Sequence, residues 1–257
     1  MVRLPALSAL SVLPVAAGMA FAQRHRLRAL SLRLVVKPVA HGLEHVSDQP
    51  GPFIFVANHP SALDAPLIRD AIAHHFPHSV AVSAAPPSAA RLAVERLFGL
   101  RSIKGLNGLL RQGISVVLFP ERNPSDDGTM TEFDLGAARL AIRTGFPVVP
   151  VALHGTFAAL PPWRVLPVAG RPQVTVLFGR PIYAEPTEEP HQVTDRILQS
   201  VAVGLAEETQ GWYGALRAHA KKTLIQPGVH AASAARWRRI WKATSAPQNR
   251  SHRKVWI

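Results

Sequence analysis

Five short runs of β-branched and aromatic residues constrain this chain more than anything else in it. They are Phe53–Ala57, Ser79–Val82, Ser115–Phe119, Val148–Leu153 and Gln173–Phe178. Each has the length and composition of a strand, and most are apolar throughout rather than alternating. Stretches with helical spacing lie between and after them: Leu63–His75, Ser88–Leu97, Gly105–Gln112, Leu135–Thr144 and His191–Thr209. Gly145-Phe146-Pro147 stops one helix and opens the next strand. Pro161-Pro162-Trp163 and Pro181 to Pro190 read as connections. The alternation predicts an α/β fold, a single domain with a largely parallel central sheet flanked by helices. With 47% hydrophobic residues in 257, the chain can bury a sizeable core.

The net charge of +13 invites a nucleic-acid reading, but its distribution argues against one. All sixteen Asp and Glu fall between Glu44 and Glu208, alongside thirteen Lys and Arg, a balance of −3. The other sixteen basic residues sit in the two ends with no acid among them. A near-neutral middle with basic ends suits a catalytic domain held on an anionic surface better than a nucleic-acid groove. Leu4 to Ala22 carries no charge, and Arg24, Arg26, Arg28 and Arg33 follow it. A cleaved signal peptide, a membrane span and an interfacial or re-entrant anchor are all open readings. Pro5, Pro14 and Gly18 weaken the span and favour the interfacial anchor. At the other end, Trp237 and Trp241 share a face of a short basic stretch suited to anionic lipid, and Ala246–Ile257 reads as disordered. The expected organisation is a membrane-associating segment over 1–40, a catalytic domain over 41–210 and a basic, partly disordered extension over 211–257. The catalytic domain is expected at the cytoplasmic face of a membrane.

The absence of cysteine excludes disulfides, thiolate zinc sites and a cysteine nucleophile. The chemistry must come from elsewhere, and one constellation offers it. The strand Phe53–Ala57 runs straight into Asn58-His59-Pro60-Ser61-Ala62-Leu63-Asp64. Residues five apart on one helix would not share a face. Pro60 changes this, because it holds His59 extended and is welcome at a helix start. His59 then stands just outside the helix and Asp64 in its opening turns. From there the carboxylate reaches one imidazole nitrogen and leaves the other free as a base. The competing explanation is a capping box, Ser61-x-x-Asp64, with His59 a simple turn residue.

Asn58-His59-x-x-x-x-Asp64 after an apolar strand resembles the first motif of the glycerolipid acyltransferase family, which includes the 1-acylglycerol-3-phosphate acyltransferases. Leu97-Phe98-Gly99-Leu100-Arg101-Ser102-Ile103 resembles a degenerate second block. Val116-Val117-Leu118-Phe119-Pro120-Glu121 is similar to the start of the third, and Val148 to Thr156 to the fourth. The likeness covers roughly Gly51 to Tyr183, about half of the chain. The third block departs from the family's Phe-Pro-Glu-Gly-Thr-Arg-Ser: Arg122 stands at the glycine position and Pro124 at the arginine. That block is associated with the acceptor's phosphate, so the departure bears on the acceptor and leaves the His59–Asp64 pair intact.

The resemblance implies transfer of a fatty acyl group from acyl-CoA or acyl carrier protein to the hydroxyl of a lysophospholipid such as 1-acylglycerol 3-phosphate. His59 and Asp64 are then the catalytic residues, with no bound cofactor and no metal. Asn58, Ser61, Arg101, Lys104, Glu121, Arg122 and Pro150 are the expected substrate-binding residues. Glu121 would order the acceptor loop, and Pro150 would shape a pocket wall. Membrane lipid and the acyl carrier are the expected partners, and nucleic acid is not. Two rival functions are a lipid hydrolase using the same pair, and a non-catalytic basic protein binding membrane or nucleic acid. His41-x-x-Glu44-His45 spells an inverted zinc-protease motif, but Gly42 and the nearby Pro50-Gly51-Pro52 turn give it the wrong context. His74, His75 and His78 bracket a loop and read as a solvated helix end.

Overall fold

The computed structural model describes residues 31–73, 75–76, 80–83, 106–121 and 128–221. Its strands are β1 (Lys37–His41), β2 (Ile54–Ala57), β3 (Val80–Ser83), β4 (Val116–Phe119), β5 (Val148–His154) and β6 (Gln173–Phe178). Its helices are α1 (Glu44–Ser47), α2 (Asp64–Ile72), α3 (Leu106–Arg111), α4 (Gly136–Thr144), α5 (Thr156–Ala159) and α6 (Pro190–Ala220). The strands form one sheet in the order β1-β6-β5-β2-β4-β3. Four of its five pairings are parallel, and β5 against β6 is antiparallel. The expected α/β architecture with a largely parallel sheet is therefore the observed one.

The central strands read as unbroken apolar runs because they are covered on both faces. On β2 the side chains alternate between two cores. Phe53, Phe55 and Ala57 join Leu67, Ile68 and Ile72 of α2 on one face. Ile54 and Val56 join Ala138 and Ala141 of α4 and Val193, Ile197 and Val201 of α6 on the other. Leu32 and Val36, ahead of β1, are buried in the first core.

Two features were not legible beforehand. Strand β1 pairs with β6 from Lys37 to His41 and lies across the expected boundary at residue 41. It is a half-exposed edge strand carrying Lys37 and Pro38, residues that blunt an edge and disguise a strand in sequence. The second is the reversal at β6. Near the other expected boundary, α6 continues to Ala220 but kinks at Gly211, whose backbone (φ 73°, ψ 161°) is open essentially only to glycine. Among the described residues no helix is long and apolar enough to cross a membrane. The anchors expected at Leu4–Ala22 and around Trp237 and Trp241, and the helix expected at Ser88–Leu97, lie outside the described residues.

Candidate active site

The carboxyl ends of β2, β4 and β5 meet at one edge of the sheet, where an open α/β fold usually places its ligand. β2 pairs with both other strands, so His59, Glu121 and Thr156 emerge there together. Helix α2 begins at Asp64, which leaves His59 in the turn before it. The His59 imidazole Nδ1 lies 2.9 Å from Asp64 Oδ2. His59 is 8% exposed and Asp64 is 0% exposed.

His59 is held on two further sides. Its backbone N–H donates to Glu121 Oε1 at 2.7 Å. Its ring stacks on Phe119, with centroids 4.2 Å apart and planes at 29°. With Nδ1 engaged by Asp64, Nε2 is the nitrogen left for chemistry. Glu121 Oε2 also accepts from the Thr131 N–H and hydroxyl, at 3.1 and 2.9 Å, so it ties the His59 turn to the loop after residue 128.

Asp64 does two jobs with one oxygen. Its Oδ2 accepts the Ser61 N–H at 2.7 Å, which is half of the capping box read from sequence. The other half is absent: Ser61 Oγ donates instead to the Leu160 carbonyl at 2.8 Å and accepts the Leu63 N–H at 3.2 Å. Burial pushes the Asp64 carboxyl up. His59, the Thr156 hydroxyl and the Ser61 N–H pull it back without cancelling that effect. Asp64 Oδ1 and Thr156 Oγ1 are buried without a well-aligned hydrogen bond among the described residues. Burial likewise pushes Glu121 up, opposed by its bonds to His59 and Thr131.

The remaining expected site residues sort differently. Asn58 is engaged by the backbone of β5: its amide N–H donates to the Leu153 carbonyl at 3.1 Å and its Oδ1 accepts the Leu153 N–H at 2.9 Å. It extends the β2–β5 ladder with a side chain. Ser61, engaged by Leu160 and Leu63, is likewise part of the frame rather than a free binding group. Pro150 does shape a wall, but of a different space. On β5 it pairs with Val56 of β2, and it lines an open groove of about 1260 Å³ with Ala152, Phe178, Gly179, Arg196 and Gly204. That groove lies toward α6 and includes none of Asn58, His59, Asp64 or Glu121. Arg101, Lys104 and Arg122 lie outside the described residues, as do His74 and His78.

The inverted zinc motif is structural in origin. His45 Nδ1 bonds the Phe178 carbonyl at 3.0 Å, and a Cβ on Gly42 would run into that same oxygen. No group of three or more potential metal ligands occurs among the described residues. Phe119, Thr131 and Thr156 are the site residues that sequence reasoning missed as side chains with a role. Phe119 and Thr156 fall inside the third and fourth blocks, which was the available signal.

The sequence model of the Acyltransferase family matches residues 93–154. Over 165 residues the chain is 28% identical to the chloroplastic 1-acyl-sn-glycerol-3-phosphate acyltransferase BAT2 of Brassica napus, covering 60% of this chain and 48% of that one. Over 119 residues it is 33% identical to a 1-acyl-sn-glycerol-3-phosphate acyltransferase of Chlamydomonas reinhardtii, covering 46% and 35%. Over these stretches the chain is similar to members of the glycerolipid acyltransferase family. It spans about half the length, or less, of these curated relatives. The fold of this chain is similar to that in the crystal structure of the 1-acyl-sn-glycerophosphate acyltransferase PlsC from Thermotoga maritima. That likeness has a TM-score of 0.58 at 22% identity, and covers 74% of this chain and 79% of that one.

Proposed function

We propose that the chain is an O-acyltransferase that moves a fatty acyl group from a thioester carrier to the free hydroxyl of a lysophospholipid of the 1-acylglycerol 3-phosphate type. The observation that carries this reading is His59 Nδ1 at 2.9 Å from a fully buried Asp64, with the His59 ring and backbone both pinned. Asp64 fixes the tautomer with the proton on Nδ1. His59 Nε2 takes the proton from the acceptor hydroxyl as its oxygen attacks the thioester carbonyl. The tetrahedral intermediate collapses, the carbon–sulfur bond breaks, and His59 returns the proton to the departing thiolate. Acyl-CoA and acyl carrier protein both fit as donor, and the mechanism needs no metal and no acyl-enzyme. The names of the matched relatives support the acceptor class. The basic ends support a membrane-associated enzyme whose domain sits at the cytoplasmic face.

A panel of lysolipid acceptors with labelled acyl-CoA, and in parallel labelled acyl carrier protein, tests the reading. Wild type should acylate at least one lysophospholipid. His59→Ala, checked for a native thermal transition, should lose about 10²–10⁴-fold in rate. A folded His59→Ala protein that keeps more than about a tenth of the rate, outside that range, would refute the base assignment. Release of free fatty acid with no acylated lysolipid would move the protein to the hydrolase reading.

A further inference from the structure

Among the described residues, seven large hydrophobic side chains are exposed, and three of them fall within four consecutive positions. Trp163 is 50% exposed, Val165 58% and Leu166 73%. Scattered exposed apolar residues are ordinary on a soluble surface, but a cluster at a loop tip marks a contact. The loop is built rather than loose. The Val168 N–H donates to the Ala159 carbonyl at 2.8 Å and closes its base, and the Arg164 N–H donates to the Pro161 carbonyl at 3.0 Å inside it. Trp163 meets Phe157 edge-on at 5.5 Å, and Phe157 packs so tightly on Gly128 that a Cβ there would come within 2.6 Å of it. Pro161, Pro162 and Pro167 restrict the backbone further.

Two more observations say what the loop meets. Its charged member is Arg164, Arg171 follows just beyond its base, and the sequence holds no Asp or Glu between Asp134 and Glu185. Tryptophan and aliphatic residues beside arginines, without acids, match the boundary between anionic headgroups and acyl chains. The loop also hangs from the reactive end of the sheet, because the Leu160 carbonyl at its base holds Ser61 Oγ at 2.8 Å in the His59–Asp64 turn. We infer that the loop at 160–168 dips into the lipid surface and sets the His59 site against the membrane that supplies its acceptor. The part about the acceptor rests on the proposed acyltransferase reading, whereas the dipping itself does not. A protein partner for the same patch is the alternative that the test excludes.

The chain has no cysteine, so Leu166→Cys in the full-length protein gives a single attachment point for an environment-sensitive fluorophore. Thr187→Cys is the control, since residues 182–189 follow the antiparallel β6 and lie at the opposite end of β5. Vesicles of phosphatidylcholine with phosphatidylglycerol should shift the label at 166 to the blue, and nitroxide-bearing lipids should quench it. The label at 187 should stay in water. Leu166→Asp should weaken vesicle partition about tenfold or more, by lost burial of one leucine side chain. It should keep wild-type transfer to a monomeric short-chain lysolipid while losing transfer to acceptor embedded in vesicles. A label at 166 that remains aqueous on vesicle-bound protein overturns the inference and leaves the catalytic reading standing. A label that enters the bilayer on a protein with no transferase activity does the reverse.

Discussion

Glu121 offers the sharpest separation between a binding role and a positioning role. Its carboxylate is 2% exposed and accepts three hydrogen bonds, the shortest from the His59 backbone at 2.7 Å. Glu121→Ala would remove the carboxylate that accepts the buried His59 N–H and the half-buried Thr131 N–H. A hydrogen bond to a charged group contributes about 1.5–3 kcal/mol. If that energy holds His59 in register with the acyl carbonyl, losing it lowers kcat by about 10- to 150-fold. Glu121→Gln should be milder. Its carbonyl can still receive the His59 N–H, but its amide then faces the Thr131 N–H, donor against donor. The assay is steady-state transfer with the acceptor titrated at saturating thioester, paired with thermal unfolding of each variant. The expected pattern is a fall in kcat with acceptor KM little changed, in the order wild type, Gln, Ala. A raised KM at constant kcat would mean that Glu121 holds the acceptor in the ground state, and would refute the positioning argument.

Three other perturbations follow from the same geometry. Asp64→Asn should cut the rate by up to about 10⁴-fold through tautomer and orientation, yet melt no lower than wild type at neutral pH. Burial raises the Asp64 and Glu121 carboxyls, so the folded state holds their protons longer than the unfolded chain. Their contribution to stability is therefore fully present below about pH 4 and is lost as pH rises through the folded values; a melting-temperature series from acid to neutral pH should show the Asn variant gaining on wild type as pH rises, and parallel curves would refute this. Asn58→Ala should lower stability by about 1–3 kcal/mol, since it orphans the Leu153 N–H and carbonyl; unchanged denaturant midpoints would refute the side-chain ladder. Gly155→Ala should destabilise as well, because the residue has φ 80° and its Cβ would lie 2.7 Å from the Gln173 carbonyl oxygen, and equal melting temperatures would argue that the β5–α5 turn can shift.

What the sequence disclosed depended on whether the determining contacts were local. The β2, β4 and β5 runs were legible because both faces are covered, which leaves no polar alternation to confuse them. Helices α2, α4 and α6 began within a residue of their expected starts, while α6 ran on to Ala220, past the expected Thr209, because Gly211 kinks it without ending it. The edge strand β1 was hidden by its own edge chemistry. The reversal of β6 was hidden because direction is set by pairing, which no local pattern records. Pro150 shows the same limit on a finer scale. It belongs to a site-bearing strand, but its face follows from its register with Val56, and that register turns it toward α6 and away from His59. The contact of Glu121 with the His59 backbone spans 62 positions and depends on β2 and β4 lying side by side.

The two local explanations of Asn58–Asp64, a helix cap and a His–Asp pair, were framed as rivals, and the structure removes the rivalry. Oδ2 of Asp64 receives both the Ser61 N–H and the His59 Nδ1 contact. The Ser61 N–H is what aims the carboxylate: at the first residue of α2, with its oxygen fixed by that backbone donor, it has little freedom to turn from the imidazole. Pro60 sets the other half by keeping His59 out of the helix. Ser61, released from its own share of the box, bonds the Leu160 carbonyl and fastens the turn to the chain after β5. Asn58, Ser61 and Asp64 thus each engage backbone groups, and the His59 Nε2 is left for chemistry. This explains why the His59–Asp64 pair can be read in a sequence whose second and third blocks are degenerate: the contact between the two side chains is made locally, with Pro60 before the helix and the Ser61 N–H on the carboxylate, while Leu153, Glu121 and Leu160 anchor the turn from a distance.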